Sequence, residues 1–376
     1  MGTVVLVRFL RTLPILLVSV LIAVLGFLAP DLPMRVETAP TTTSTSLPPT
    51  TFTTLPDPRP TPAFPVIAAA GDIACAPEEL AADPFDRSEP CAQEQTAGLL
   101  ESGPSIQPGS PYAAVFALGD LQYHKGTLEE FLGSYDHSWG NHLDRTWPVL
   151  GNHEMLDQAR GYREYFATLD LRADMVGSVT QGWYALRLGS WLVIGLNSNC
   201  ASGICDAGSE QVEFLRAILT LDKGPCTLAL MHHPRWSSGR HGDDERVDPL
   251  WQVLAEFGVD VVLSGHDHHY ERFAPRTAEG SFGPGPVQYV VGTGGAPLLP
   301  AQPSRLGATS VLDRHGIVEL TLEDSGWSGR FRSIDGSTQD QHRSHCTARS
   351  TSATSLSASG VMPAGTRTAT TVSVPR

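Results

Sequence analysis

The sequence predicts an α/β domain, because strand-like and helix-like segments alternate along it. Short apolar runs typical of buried strands recur at 66–70, 113–118, 227–231 and 259–264. Each run ends in polar residues, and open α/β sheets collect functional groups at the carboxyl ends of their strands. The segment 209–221 carries apolar residues at helical spacing: Val212, Leu215, Ile218 and Leu219. We therefore expect one compact α/β domain over residues 66–347.

The remaining elements follow in chain order. Further strand-like runs lie at 147–150, 183–188, 191–196, 287–291 and 316–322. Gly189 and Ser190 separate two of these runs and predict a hairpin. Ser209 is a candidate N-cap for the helix that follows it. After residue 322, Gly326 and Gly329 predict a final hairpin or an irregular end.

The charge balance argues against a nucleic-acid-binding protein. The chain has 26 Lys plus Arg and 40 Asp plus Glu residues, which gives a formal net charge of −14. No basic patch or alternation of basic and aromatic residues stands out along the sequence. We expect no nucleic-acid partner.

The N-terminal residues 1–37 are predicted to be a targeting segment. Arg8 and Arg11 precede an apolar run at 13–29, which fits a signal-peptide core or a short membrane anchor. No clear A-x-A cleavage site follows, so we expect an uncleaved or inefficiently cleaved anchor, with the later residues outside the cell. The Thr/Pro-rich segment 38–65 is typical of an extended linker, and the Ser/Thr/Ala-rich tail 348–376 is typical of disorder.

Six cysteines in an exported chain favour disulfides over thiolate metal ligands, because the outside of a cell is oxidising. Many pairings are possible for six cysteines. Proximity in sequence favours two pairs and leaves a third: Cys75–Cys91, Cys200–Cys205 and Cys226–Cys346.

Candidate metal ligands follow several strand-like runs. His266 and His268 come after the run 259–264, and in an extended chain their imidazoles point to the same side. Other groups that bind metals follow the other runs: Asp72, Asp120, Tyr123, Asn152, His153 and His232. Such oxygen and nitrogen donors suit Fe, Zn or Mn, and two neighbouring ions can clamp a phosphoryl group. Asp72 and Asp120 could instead be helix caps or turn residues after strands, and Tyr123 could be an ordinary half-buried phenol.

The motifs, in their order along the chain, resemble the calcineurin-like metallophosphoesterase superfamily. They are Gly71-Asp72, Gly119-Asp120, Gly151-Asn152-His153-Glu154, Met231-His232 and Gly265-His266-Asp267-His268. Tyr123, three residues after Asp120, is more similar to the purple acid phosphatase branch and its short bacterial relatives. The resemblance spans about residues 67–272 and implies a four-layer α/β/β/α sandwich with two facing mixed sheets.

The same resemblance implies a centre of two metal ions. Asp72, Tyr123 and His268 would bind a first ion, Fe(3+) in the purple acid phosphatases. Asp120 would bridge to a second, divalent ion (Zn, Mn or Fe), held by Asn152, His232 and His266. A metal-bound hydroxide would attack phosphorus in line. His153 and His241 would be the catalytic histidines, and both would contact the substrate together with Asn152.

The motifs therefore predict an exported phosphoesterase that hydrolyses small phosphomonoesters. We expect it outside the cell or at the cell surface, and attached to the membrane if the N-terminal segment is not cleaved. A phosphodiesterase or nucleotide pyrophosphatase with the same metal centre is an alternative within the same chemistry. A non-catalytic surface protein with flexible arms is the alternative from another class.

Overall fold

The structure is a computed structural model that describes residues 64–81, 90–222, 224–301 and 307–347. The predicted targeting segment 1–37, almost all of the linker 38–65 and the tail 348–376 lie outside the described residues. Within the described ranges, no helix combines the length and the hydropathy needed to cross a membrane.

The described ranges contain fourteen strands and seven α-helices. The strands are β1 (Val66–Ala70), β2 (Ala114–Ala117), β3 (Thr146–Pro148), β4 (Met175–Ser178), β5 (Trp183–Leu188), β6 (Trp191–Gly195), β7 (Cys226–Leu230), β8 (Val261–Ser264), β9 (Tyr270–Phe273), β10 (Val287–Val291), β11 (Ala308–Leu312), β12 (Gly316–Glu323), β13 (Gly326–Ser333) and β14 (Thr338–His345). The helices are α1 (Pro77–Ala81), α2 (Gln93–Glu101), α3 (Leu128–Gly133), α4 (Asn152–Met155), α5 (Arg160–Tyr165), α6 (Glu210–Leu221) and α7 (Asp248–Glu256). Short 3-10 helices lie at Tyr135–His137, Trp139–Arg145, Ala167–Leu171, Cys200–Ser202 and Glu245–Val247.

The strands form two mixed sheets. The first has the order β14-β13-β12-β1-β2-β3, and the second has the order β11-β9-β10-β8-β7-β6-β5-β4. In the first sheet β1, β2 and β3 are parallel, and in the second β6, β7, β8 and β10 are parallel. The antiparallel strands lie outside these parallel groups.

The two sheets face each other across a shared core. Alternate side chains of β6, β7 and β8 enter that core: Trp191, Val193, Leu228, Leu230, Val261 and Leu263. The intervening side chains pack in a second cluster with α6 and α7: Leu192, Ile194, Ala229, Met231 and Val262. Strands buried on both faces require continuous apolar runs, as this sequence has. Since α2 packs against β12 of the other sheet, the predicted four-layer α/β/β/α sandwich is confirmed.

The strand-like runs and the helix that the sequence predicts are observed, but β4, β9, β11 and the helices other than α6 were not predicted. The hairpin at Gly189 and Ser190 joins the antiparallel strands β5 and β6. Ser209 caps α6, where its hydroxyl accepts from the backbone N–H of Val212 at 3.3 Å. The run at 147–150 is an exception, because β3 ends at Pro148 and the chain then turns into α4. All three predicted disulfides are present: Cys75–Cys91, Cys200–Cys205 and Cys226–Cys346.

Candidate metal centre

The parallel strands of both sheets end at one place, and the candidate ligands follow those ends. Asp72 comes after β1, Asp120 after β2, and Asn152 opens α4 after β3. His232 comes after β7 and His266 after β8. The carboxyl ends of parallel strands are where sheets of this kind build sites. Residues far apart in the sequence are therefore brought into contact by the strand order.

Three of the candidates form a first donor group. The hydroxyl of Tyr123 lies 3.0 Å from Asp72 Oδ1 and 3.0 Å from His268 Nε2. His268 Nε2 is in turn 3.3 Å from Asp72 Oδ1. The three side chains are buried or nearly so, and their donor atoms point at one another.

Four candidates form a second donor group next to the first. His232 Nε2 lies 3.2 Å from Asp120 Oδ2, 3.2 Å from Asn152 Oδ1 and 3.2 Å from His266 Nδ1. Asp120 Oδ2 is also 3.4 Å from the hydroxyl of Tyr123. Asp120 therefore stands between the two groups, with one oxygen close to both.

The hydrogen bonds of the histidines show that this donor set fits a cation. His232 Nδ1 lies 2.8 Å from the carbonyl oxygen of Leu118, and His268 Nδ1 lies 2.7 Å from that of Pro297. A carbonyl can only accept, so both Nδ1 atoms carry a proton, and each ring in its neutral form turns a bare Nε2 lone pair inward. Lone pairs of nitrogen, carboxylate and amide then converge, which favours a metal ion between them.

The electrostatics of the centre favour positive charge. Burial by itself would lower the pKa of His232, but Asp120 outweighs it and raises that pKa to about 9. Asp72 likewise overcomes burial at His268 and raises its pKa to about 9. Burial and the neighbouring His232 together lower the pKa of His266 to about 4. The two carboxylates thus stabilise a cation at the centre, whether it is a proton or a metal ion.

The two predicted catalytic histidines lie beside the donor groups. The ring of His153 packs on Tyr123 with 4.3 Å between ring centroids, and its Nε2 is 3.9 Å from Asp120 Oδ2. The ring of His241 packs on His266 with 4.4 Å between centroids, and His241 is exposed to solvent. The structure therefore brings all of the predicted site residues into one place.

Comparison with known proteins agrees with this geometry. The family model of the calcineurin-like phosphoesterases matches residues 66–270, which is more than half of the 376-residue chain. The chain belongs to the calcineurin-like phosphoesterase family. The matched range runs from β1 through the ligand candidate His268, so it includes every residue of the two donor groups.

Individual relatives support the purple acid phosphatase branch of this family. The Fe(3+)-Zn(2+) purple acid phosphatase 12 of Arabidopsis thaliana is 24% identical over 264 residues, covering 61% of this chain and 55% of the relative. Purple acid phosphatase 18 of the same plant is 30% identical over 205 residues, covering 49% of this chain and 44% of the relative. The chain thus spans about half the length of the curated relatives it matches.

A solved structure supports the fold. The purple acid phosphatase PPD1 from yellow lupin (Lupinus luteus) seeds aligns with a TM-score of 0.59 at 20% identity, covering 75% of this chain and 53% of that one. At this level of identity the likeness concerns the fold of the phosphoesterase sandwich.

Glu154 contacts the backbone of the candidate metal centre, a role that the sequence pattern did not indicate. Its side chain is fully buried, and Oε2 accepts from the N–H groups of Gly151 at 2.8 Å and Asp120 at 3.0 Å. Oε1 accepts from the N–H groups of Leu121 at 2.8 Å and Gln122 at 3.3 Å. Glu154 therefore fixes the turn that carries Asp120. The sequence signal that could have indicated this role is the position of Glu154 at the end of the Gly-Asn-His-Glu motif.

His233 is a second residue near the centre for which the sequence predicted no ligand role. Its ring packs on His266 with 4.6 Å between centroids, and its Nδ1 is 2.9 Å from the hydroxyl of Ser198. Burial, together with the neighbouring His232, lowers the pKa of His233 well below its usual value. His233 is therefore a neutral, buried ring that packs against the ligand candidate His266.

The residue before the ligand candidate Asp120 must be a glycine, because the end of β2 lies very close to His232. Gly119 has a φ of +83°, and a Cβ there would lie 2.6 Å from Nδ1 of His232. Both the left-handed backbone and the missing space exclude larger residues. Gly119 in the Gly-Asp motif therefore lets the end of β2 in one sheet contact His232, which follows β7 in the other.

Proposed function

We propose that this chain is an exported dinuclear metal phosphoesterase that hydrolyses phosphomonoesters. The observation that carries the proposal is the convergence of two donor groups on Asp120, with lone pairs of histidine, carboxylate and amide facing inward. The purple acid phosphatases among its relatives support the same reaction class.

In the proposed centre each donor group would hold one ion. Asp72, Tyr123 and His268 would bind the first ion, and a phenolate ligand favours Fe(3+) there. Asp120 would bridge the two ions. The second, divalent ion would be held by Asn152, His232 and His266, and zinc is supported by the Fe(3+)-Zn(2+) relative. When bound, the two ions activate a water and neutralise charge on the phosphoryl group.

His153 is proposed to donate a proton to the leaving group. Its Nδ1 lies 2.6 Å from the carbonyl oxygen of His124, which can only accept, so Nδ1 carries a proton. Nε2 is therefore the atom that gains or gives a proton during the reaction. When Nε2, which lies 3.9 Å from Asp120 Oδ2, also carries a proton, its N–H would donate to the leaving oxygen.

Asn152 and His241 are proposed to orient the phosphate. Asn152 belongs to the second donor group through its amide oxygen, and the ring of His241 packs against His266 of the same group. His241 is exposed, so its ring nitrogens are accessible to a phosphate oxygen that enters from solvent. Holding the phosphate in one orientation lowers the entropic part of the barrier.

Export of the enzyme is part of the proposal. The three disulfides need an oxidising compartment to form and persist. They support an extracellular or cell-surface location. Attachment to the membrane through residues 13–29 is proposed as well, and expression of the full chain followed by membrane fractionation tests it.

The function is tested by metal analysis and visible absorption of protein purified without added metal. We expect two metal ions per chain and, from a bond between Tyr123 and Fe(3+), a visible charge-transfer band. Tyr123→Phe should remove the band. Tyr135→Phe is the matched control, because that buried hydroxyl has no hydrogen-bond partner among the described residues.

The substrate class is tested by hydrolysis of a chromogenic monoester and of a chromogenic diester. The proposal expects faster turnover of the monoester. Faster turnover of the diester would instead assign the same centre to a phosphodiesterase. Protein that binds no metal and hydrolyses neither ester would overturn the proposal and favour a non-catalytic surface protein.

A further inference from the structure

Two buried carboxylates, those of Asp267 and Glu271, accept hydrogen bonds from the loop Ser237–His241. Both follow His266 closely in the sequence. Asp267 lies between His266 and His268 and is fully buried. Its Oδ1 accepts from the backbone N–H of His241 at 2.9 Å, and its Oδ2 accepts from the hydroxyl of Ser237. The carboxylate therefore bonds both ends of the loop that carries His241.

Glu271 makes a second set of bonds to the same loop. Its Oε2 accepts from the backbone N–H of Ser238 at 2.8 Å, and its Oε1 accepts from the hydroxyl of Ser238. His269 Nε2 lies 3.1 Å from Oε2 on the other side. Glu271 thus fixes the start of the loop, whereas Asp267 is the group that reaches His241 itself.

The fit between Asp267 and the loop depends on the absence of a side chain at Gly239. A Cβ at this position would lie 2.2 Å from Cγ of Asp267. The Gly239 N–H also donates to the Ser237 hydroxyl at 2.9 Å, which itself donates to Asp267. The loop is therefore folded tightly over the carboxylate.

The buried carboxylate of Asp267 receives hydrogen bonds from this loop. No lysine or arginine in the described part of the chain forms an ion pair with Asp267; its carboxylate accepts hydrogen bonds from the His241 N–H and the Ser237 hydroxyl. A buried carboxylate that loses its donors is costly, so the loop and Asp267 keep each other in place. His241 then packs on the ring of His266, the residue before Asp267.

We infer that Asp267 is a positioning residue that fixes His241 beside the metal centre through the loop Ser237–His241. The inference rests on the proposed function, in which His241 contacts the phosphate. Asp267 contacts neither the substrate nor an ion; it acts through the backbone of His241. Asp267 thereby links His241 to the segment that carries His266 and His268, one ligand candidate of each donor group.

The test moves the loop without changing any candidate ligand. Gly239→Ala places a methyl group against Asp267, and Ser237→Ala removes the hydroxyl bond. We expect kcat/KM for a chromogenic phosphomonoester to fall about 10- to 100-fold in Gly239→Ala, mainly through KM, with unchanged metal content and visible spectrum. Gly98→Ala is the matched control, because a Cβ there meets nothing within 4 Å.

A double-mutant cycle separates positioning from general damage. In a His241→Ala background, Gly239→Ala should cause little further loss, because the residue that the loop positions is already gone. Asp267→Asn should retain more activity than Asp267→Ala, since asparagine keeps an acceptor for the His241 N–H. Full additivity of Gly239→Ala with His241→Ala would overturn the inference, as would loss of metal in step with activity.

Hydrogen–deuterium exchange gives a readout that does not depend on activity. The backbone amide of His241 should exchange faster in Ser237→Ala and Gly239→Ala than in the parent, with no change in Gly98→Ala. Unchanged exchange would show that Asp267 does not hold the loop. A parent protein without metal or hydrolysis, but with faster exchange in the variants, would refute the proposed function and leave the contact between Asp267 and the loop standing.

Discussion

Three candidate ligands adopt a backbone conformation that is unusual for residues other than glycine. The φ angles of Asp72, Asp120 and His266 are 57°, 46° and 74°. Non-glycine residues in this left-handed region cost free energy and persist where the surroundings hold them. Here His266 N–H donates to Asp72 Oδ2 at 2.7 Å, so two of the three residues hold each other. The third, Asp120, is held by Glu154.

Replacing Glu154 by glutamine should therefore weaken both stability and metal binding. All four partners of the carboxylate are N–H donors, so an amide NH2 group would face donors where an acceptor is needed. We expect a loss of about 2–3 kcal/mol in the free energy of unfolding. Less than two equivalents of metal should remain, since Asp120 loses its support. Urea unfolding and metal analysis measure the two effects.

The control for this substitution is Glu101→Gln at an exposed position of α2. It should leave stability and metal content unchanged. Glu154→Gln protein with parental stability and two metal ions would contradict the prediction.

At the scale of elements, the sequence predicts the strands and their polar ends well, because continuous apolar runs and motifs are local signals. The helix cap at Ser209 is local too. Which strands lie together is not local: β12 pairs with β1 although some 250 residues separate them. The directions of the His266 and His268 side chains could not be predicted from local sequence signals either. β8 ends at Ser264, and the left-handed turn at His266, rather than strand alternation, directs the two imidazoles to different donor groups.

The contact between β14 and β9 joins the two sheets through a buried carboxylate. Asp340 Oδ2 accepts from the hydroxyl of Tyr270 at 2.7 Å and from Arg272 Nε at 2.7 Å. Its Oδ1 accepts from Arg272 Nη2 at 2.7 Å. Burial alone would raise the pKa of Asp340, but the bonds from Arg272 and Tyr270 outweigh burial and lower that pKa below 3.8.

This contact should make part of the stability depend on pH. Because the pKa of Asp340 is lower in the folded chain than in the unfolded chain, its contribution is complete above pH 3.8 and is lost as the pH falls through the folded value. At pH 7 we expect Asp340→Asn to lower the free energy of unfolding by about 1.5–3 kcal/mol. The difference from the parent should shrink below pH 3.8, measured by urea unfolding across pH.

Asparagine is a suitable replacement, since it tolerates the left-handed backbone of this position, φ 46°. Asp206→Asn, at an exposed position, is the matched control and should change stability little at any pH. A constant difference between Asp340→Asn and the parent from pH 7 to the acid range would show that the carboxylate charge does not contribute.

At the scale of the whole molecule, a disulfide ties the end of the first sheet to the second. Cys226 opens β7 of the eight-stranded sheet, and Cys346 follows β14 of the six-stranded sheet. Beside the disulfide, the backbone N–H of Thr347 donates to Asp260 Oδ1 at 2.6 Å. The candidate metal centre lies beyond the other end of β7, where His232 follows the strand. The disulfide therefore supports the joining of the sheets at a distance from the proposed chemistry.

Removal of this disulfide should cost much more stability than removal of a short one. Cys226 and Cys346 are 120 residues apart in sequence, whereas Cys200 and Cys205 are 5 apart. Closure of the longer loop restricts the unfolded chain more, so we expect losses of about 5 and about 2 kcal/mol for the respective double alanine variants. Urea unfolding compares the two directly. Because Cys226 and His232 lie at opposite ends of β7, metal content and turnover of the folded Cys226→Ala/Cys346→Ala protein should remain parental well below its unfolding temperature. Equal destabilisation by the two pairs would mean that strain or residual structure, rather than loop length, determines what these disulfides contribute.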